Sequence, residues 1–281
     1  MTTVKKARGG PLPALKRFVH SKHMVTLVWI LGIVAVWEIF ACIVAATKRT
    51  PVNVLPHLYE IIGSFFSDKK VTGKMTMIEL IGTACGETLS RAGIGFLAGI
   101  AAGYILALLM NLSRGGEKIA FPYLMIIQMI PILGMAPIIL SITGDINSAR
   151  IVIAAILTFY PVSTNVLAGF RSVEKEKHEL MYSYAANKFQ LYTKTLIPAC
   201  IPYFFTGLKI SAPITASILV DTLQGGNGLG CMLSQSLKGG MTRLVFWDIV
   251  LISAVIGILS FVLMGLIERL LCPYKRNRSG D

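Results

Sequence analysis

Charge is scarce in this chain. Only 15% of its 281 residues are Asp, Glu, Lys or Arg, where a soluble domain of this length usually carries about 25%. The shortfall excludes an ordinary water-soluble fold, whose surface needs those groups. Acidic residues are the fewest, 14 against 27 basic ones, leaving a net charge of +13. Such a balance often marks a nucleic-acid partner, but no basic stripe with interleaved aromatics occurs, so none is expected. Cysteine is sparse and scattered. Cys42, Cys85, Cys200, Cys231 and Cys272 form no CxxC pair, so neither a disulfide framework nor a zinc site is implied, and small buried fillers are the expected role. His20, His23, His57 and His178 share no ligand spacing, which argues against a metal site. Also missing are HExxH, GxSxG and an aspartate pair at helical spacing. Their absence removes the catalytic sets of membrane proteases and lipid-modifying enzymes, and no catalytic residue is expected. No internal repeat is visible and few charges fall within apolar runs, which weakens the case for a self-sufficient secondary transporter.

What the chain has is apolar sequence, 54% of its residues, with a mean hydropathy of +0.68. A helix needs roughly 20 apolar residues to cross the hydrocarbon core. Six stretches qualify: 24–46, 92–112 with a helical lead-in from 76–90, 119–142, 150–170, 201–223 and 244–271. The expected fold is therefore an all-α membrane protein with six transmembrane helices. The basic residues at 5–22 followed by an apolar run imitate a signal peptide, but the run reaches Ala46, so a retained anchor is expected. Basic residues set the orientation. With the N-terminus inside, seventeen fall in inner segments, nine in outer segments, and Lys209 lies inside the fifth span. Both termini are accordingly expected in the cytoplasm of an inner-membrane protein.

The domain plan follows: a cytoplasmic tail at 1–23, a first span at 24–46 and an external loop at 47–83. A core at 84–271 and a cytoplasmic tail at 272–281 complete it. In the external loop, Leu58, Ile61, Ile62 and Phe65 recur at helical spacing and predict a short amphipathic helix along the outer surface. Gly95, Gly99 and Gly103 recur every four residues and predict a face where another backbone approaches closely; a sliding surface is the alternative. Pro122, Pro131 and Pro137 interrupt the third span. Such a helix is either buried or lines a cavity, because freed carbonyls need partners. Gln128, Pro131 and Met135 are on this ground candidates for a translocation path, together with Asp221, a span-end carboxylate. Asp248 reads as interfacial, and Glu38 is expected to pair with a neighbouring helix.

The inner loop 171–200 (RSVEKEKHELMYSYAANKFQLYTKTLIPAC) is too long for a connector and too patterned for disorder. Met181, Ala185, Phe189, Tyr192 and Leu196 fall on a helical stripe. Asn187 followed by Gln190 reads as a capping box, so a second helix restarts there. An apolar stripe facing the cytoplasm asks for a docking partner.

This loop resembles the EAA loop of permease subunits of binding-protein-dependent ABC importers. Aligned on Pro198, Glu179 falls on the motif's Glu and Ile197 on its Leu. Leu180 and Met181 replace its two alanines, Ala185 its glycine and Thr195 its isoleucine. IPACIPYFFTGLKI at 197–210, LAGFRSV at 167–173, GLG at 228–230 and the terminal LIERLLCPY are also similar to that family, over about residues 55–274. The similar subgroup serves nitrate, sulfonates, taurine and thiamine-pyrimidine precursors, and KISAP at 209–213 leans toward the last. The resemblance implies a type I ABC importer permease fold with cytoplasmic coupling helices at 174–196. Glu179, Met181, Ala185, Phe189, Tyr192, Pro198 and Gly207 would carry coupling to the ATPase. It further implies a second permease copy, a cytoplasmic ATPase dimer that binds ATP and Mg, an extracytoplasmic solute-binding protein and a lipid bilayer. No cofactor is expected in this chain, and no GxxxxGK[ST] occurs in it. Since alanine adopts a left-handed backbone less easily than glycine, the turn is expected at Ala186–Asn187 and not at Ala185.

Overall fold

The computed structural model describes residues 22–68, 70–71, 75–216, 227–239 and 243–272. Every regular element among them is helical. The chain divides into two units, Met1–Phe66 and Ser67–Asp281.

In the first unit, α1 spans Lys22–Thr47, one 3-10 turn follows at Pro51–Asn53, and α2 spans Leu58–Phe65. After α1 the chain folds back along it. The Trp37 indole donates to the Pro56 carbonyl (3.1 Å). Glu38 accepts the Leu58 N–H (2.9 Å) and pairs with His57 Nδ1 (2.7 Å). Its partner is thus a neighbouring helix, at the start of α2. A carboxylate placed there satisfies an orphan N–H and complements the helix dipole. The amphipathic helix forms as expected, but its inward face is narrower. Ile61 is buried, whereas Ile62 is turned outward.

The second unit opens with α3, Met77–Leu112. The predicted lead-in and second span are one rod of 36 residues, about 54 Å long at 1.5 Å per residue. A reciprocal box starts it: Thr76 Oγ1 accepts the Glu79 N–H and Glu79 accepts the Thr76 N–H, as two orphan donors require. The predicted third span is broken. α4 (Arg114–Met129) and α5 (Ile132–Thr143) meet at 112°. Pro131 makes the elbow, because it offers no N–H and drives Ile130 to extended backbone (φ −74°, ψ 125°). Pro122 and Pro137 are accommodated inside their helices. α6 spans Ile146–Arg171. It is capped by Asp145, whose carboxyl is held below its ordinary range by the Ser148 N–H and hydroxyl. Next come α7 (Lys175–Ser183) and α8 (Lys188–Leu191). A π turn at Tyr192–Leu196 leads into α9 (Ile197–Ala216). Last are α10 (Leu229–Leu237) and α11 (Arg243–Leu271). Among the described residues, five helices are long and apolar enough to cross a membrane, and the bent α4–α5 pair makes a sixth.

Small residues let three of these helices pack backbone to backbone. A Cβ on Gly99 would lie 2.5 Å from the Ala155 carbonyl oxygen, and one on Gly103 would lie 2.8 Å from that of Phe159. The predicted glycine face of α3 therefore belongs to α6. Gly207 does the same from α9, 2.9 Å from the Pro161 carbonyl, and Gly169 from α6 against Cys200. Gly207, expected among the coupling residues, lies inside the bundle, where a missing side chain is what the contact needs.

Polar groups lock the unit further. Lys209 of α9 forms an ion pair with Glu268 of α11. Arg171 at the end of α6 pairs with Glu117 of α4. Arg150, expected in an outer loop, is fully buried. It donates to the Asn227 carbonyl (2.7 Å), which Arg91 also reaches (2.8 Å). Asp248, near the start of α11, is 2% exposed and faces into the bundle. Cys200, Cys231 and Cys272 are the buried fillers, whereas Cys42 is exposed and Cys85 half-buried. Asp221 lies outside the described residues.

Candidate functional site

The loop between α6 and α9 folds as a helix, a turn and a helix. α7 ends in two backbone bonds, Ala186 N–H to the Met181 carbonyl (3.0 Å) and Ala185 N–H to that of Tyr182 (2.9 Å). That pair defines a Schellman ending, which places its linking residue in the left-handed region. The linking residue is Ala185, at φ +50°. The turn therefore sits at the motif's glycine position after all, and not at Ala186–Asn187. Two hydrogen bonds outweigh the steric cost of an alanine there. Asn187 and Gln190 then exchange side-chain bonds with each other's N–H groups (2.8 and 3.0 Å). The predicted capping box is present and starts α8.

The left-handed residue has a second consequence. It reorients the chain between Met181 and Phe189, so the expected single stripe is divided between two helices. Its later members turn inward. Tyr192 accepts a bond from Asn111 Nδ2 (2.8 Å) at the end of α3 and packs edge-on against Phe170 (6.3 Å) near the end of α6. Leu196 is buried. The outward apolar surface comprises Leu180, Tyr182, Tyr184 and Phe189, exposed by 54, 77, 75 and 76%. Three of these four were missed because they lie off the periodic stripe. Glu179 is exposed at the same surface and joins no ion pair among the described residues. Pro198 is exposed at the second position of α9. Its missing N–H relieves the preceding turn of strict α register, which suits the π turn before it.

The elbow between α4 and α5 shapes a cavity of about 430 Å³ with α6 and α9. Gln128, Tyr160, Thr164 and Asn165 are its polar lining; the rest is Pro161 and aliphatic side chains, among them Ile127, Ile130 and Ile210. The Asn165 amide donates to the Pro161 carbonyl (2.7 Å) and leaves its own oxygen free to accept. Thr164 donates back to the Tyr160 carbonyl (3.0 Å). Among the described residues, the Tyr160 hydroxyl donates to Met125 sulfur alone, at 3.8 Å. Of the four residues expected along a path, Gln128 lines this cavity. Pro131 forms the elbow but is exposed. Met135 packs instead on the apolar cluster of Ala136, Ile139, Ala149 and Ile153. Among the described residues, no group of His, Cys, Asp or Glu is arranged to hold a metal.

Residues 99–271 match the family described as "Binding-protein-dependent transport system inner membrane component". The chain is 26% identical over 252 residues to the formylaminopyrimidine transport permease protein of Halalkalibacterium halodurans, covering 88% of this chain and 94% of that one. It is 24% identical to a nitrate import permease protein of Synechocystis sp., covering 91% and 92%. It is also 24% identical to a putative aliphatic sulfonates transport permease protein of Bacillus subtilis, covering 88% and 86%. Among solved structures, it resembles a chain of a methionine ABC transporter in an inward-facing conformation (TM-score 0.59, 19% identity, 69% of this chain and 97% of that one). A chain of a bacterial ABC transporter involved in alginate import is similar too (TM-score 0.58, 16% identity, 93% and 99%).

Proposed function

The chain belongs to the family of binding-protein-dependent transport system inner membrane components, and from that premise we propose that residues 174–196 are its docking segment for a cytoplasmic ATPase. It is a multi-pass permease subunit of an ABC importer, moving a small organic or anionic solute inward. The relatives give no support to a secondary transporter or a membrane-embedded enzyme. ATP and Mg would be bound by the partner ATPase, and an extracytoplasmic binding protein would deliver the solute. Two permease copies would face each other in the bilayer, with both termini of each in the cytoplasm, as the basic-residue bias favours.

One observation carries the docking assignment. The loop is held at its base and bare at its tip. Leu180, Tyr182, Tyr184 and Phe189 are exposed, while Tyr192 ties the second helix to α3 and α6 through Asn111 and Phe170. An exposed aromatic patch at the end of a fixed lever suits a protein groove. Force applied there reaches the two helices that pack most closely in the bundle. Glu179 at the patch would steer association more than it would add affinity. The broken helix around 128–138, with Asp221, would border the translocation route.

The test is replacement of Phe189 by Asp. A charge forced into the partner's groove should weaken the contact by on the order of 3 kcal/mol. Glu179→Lys should do less. Co-purification of the ATPase and uptake of solute should both fall for Phe189→Asp, while membrane insertion survives. An intact complex with normal transport would refute the docking assignment.

A further inference from the structure

We propose that the cavity at the α4–α5 elbow is a solute subsite built for a small uncharged molecule carrying both hydrogen-bond donors and acceptors, and that it disfavours anions. The inference rests on the reading that the elbow borders the transport route, but not on the docking segment.

The argument begins with what the lining offers. Its volume of about 430 Å³ falls within the range of small-molecule sites. Four side chains supply polarity, from three separate stretches: Gln128 on α4, then Tyr160 and the adjacent pair Thr164 and Asn165 on either side of Pro161 in α6. Gln128 makes no hydrogen bond among the described residues and presents a whole amide, two donors and an acceptor. Thr164 has turned its donor to the α6 backbone and Asn165 one of its two, so both keep acceptor oxygens for the cavity and Asn165 a second N–H. The Tyr160 hydroxyl directs its proton at Met125 sulfur 3.8 Å away, a weak acceptor that a solute oxygen or nitrogen would displace. Tyr160 also contributes an aromatic ring, and the aliphatic walls of Ile127, Ile130 and Ile210 suit the faces of a flat solute.

The same lining carries no charged side chain among the described residues. An anion entering it would shed water without meeting a fixed cation, and burial of an uncompensated charge is strongly unfavourable. A neutral solute with ring nitrogens, amines or amides exchanges its water for matched partners instead.

The experiment uses the full chain in lipid nanodiscs. Thr164→Cys is alkylated with N-ethylmaleimide, and modification at position 164 is read by peptide mass spectrometry. 4-Aminopyrimidine at mildly alkaline pH, nitrate and ethanesulfonate serve as probes at equal millimolar concentration. At twice its dissociation constant the neutral probe should slow alkylation about threefold by simple occupancy, with both anions near the unprotected rate. Adding Gln128→Ala should remove the protection. Should Thr164→Cys fail to fold, saturation-transfer NMR of the same probes on the unsubstituted chain replaces it, with the same expected ranking. Protection by either anion equal to that of the neutral probe would overturn the proposal, as would no effect of the neutral probe in either assay. Co-purification of the ATPase is unaffected by these substitutions if the docking assignment holds, so the two readings fail separately.

Discussion

The Lys209 ammonium crosses from α9 to the Glu268 carboxylate of α11, an ion pair within the bundle whose acidic side chain is 8% exposed. It joins the helix that follows the 174–196 loop to the last helix among the described residues. Ionisable groups in such a place usually pair with one another, because lipid and apolar side chains offer neither any hydration.

Removing one partner should therefore cost more than removing both. Lys209→Met strands a buried carboxylate and should destabilise the protein by about 3 kcal/mol. Lys209→Met combined with Glu268→Met should recover most of that loss. Thermal unfolding of the purified variants in one detergent decides it. Equal midpoints for the single and double variants would show that the pair contributes only bulk.

The glycine face of α3 makes a sharper comparison. Gly99→Ala places a methyl group 2.5 Å from the Ala155 carbonyl oxygen, which belongs to backbone and gives way only if α3 and α6 separate. A loss of about 1–3 kcal/mol is expected, as for other overpacked contacts. Gly93→Ala meets nothing within 4 Å on the same helix. It should be neutral, or stabilising by up to about 1 kcal/mol through helix propensity. Denaturation of both variants side by side is the measurement, and similar behaviour would contradict the packing described.

Ala185 predicts a gain. Its φ of +50° costs an alanine about 1 kcal/mol that glycine does not incur. Ala185→Gly should slow proteolytic nicking within 174–196, and Ala185→Val should hasten it. If glycine leaves the loop as susceptible as before, the left-handed turn is not the strained point.

Composition and run length were enough to read an all-helical membrane chain. A hydrocarbon solvent demands about 20 apolar residues per crossing and internally satisfied backbones, and both demands are written locally. The i, i+4 glycines, the Asn187–Gln190 box and the apolar period of residues 58–65 were legible for the same reason. Each expresses one helix's own geometry. The tertiary structure decided matters that depend on two segments at once. Glu38 meets His57 and Leu58 only because the chain folds back, and Arg150 meets the Asn227 carbonyl from 77 residues away. Of three prolines in one span, Pro131 alone breaks it, and nothing in the letters ranks them. Ala185 sits left-handed where its own preference argues against it, since two backbone bonds across the end of α7 fix the turn. That one residue divides the predicted stripe, turns Tyr192 inward, and leaves Tyr182, Tyr184 and Phe189 as the exposed surface. Periodicity records a side chain's angle around its own helix, while its neighbours are chosen by turns whose energy is spread over several residues.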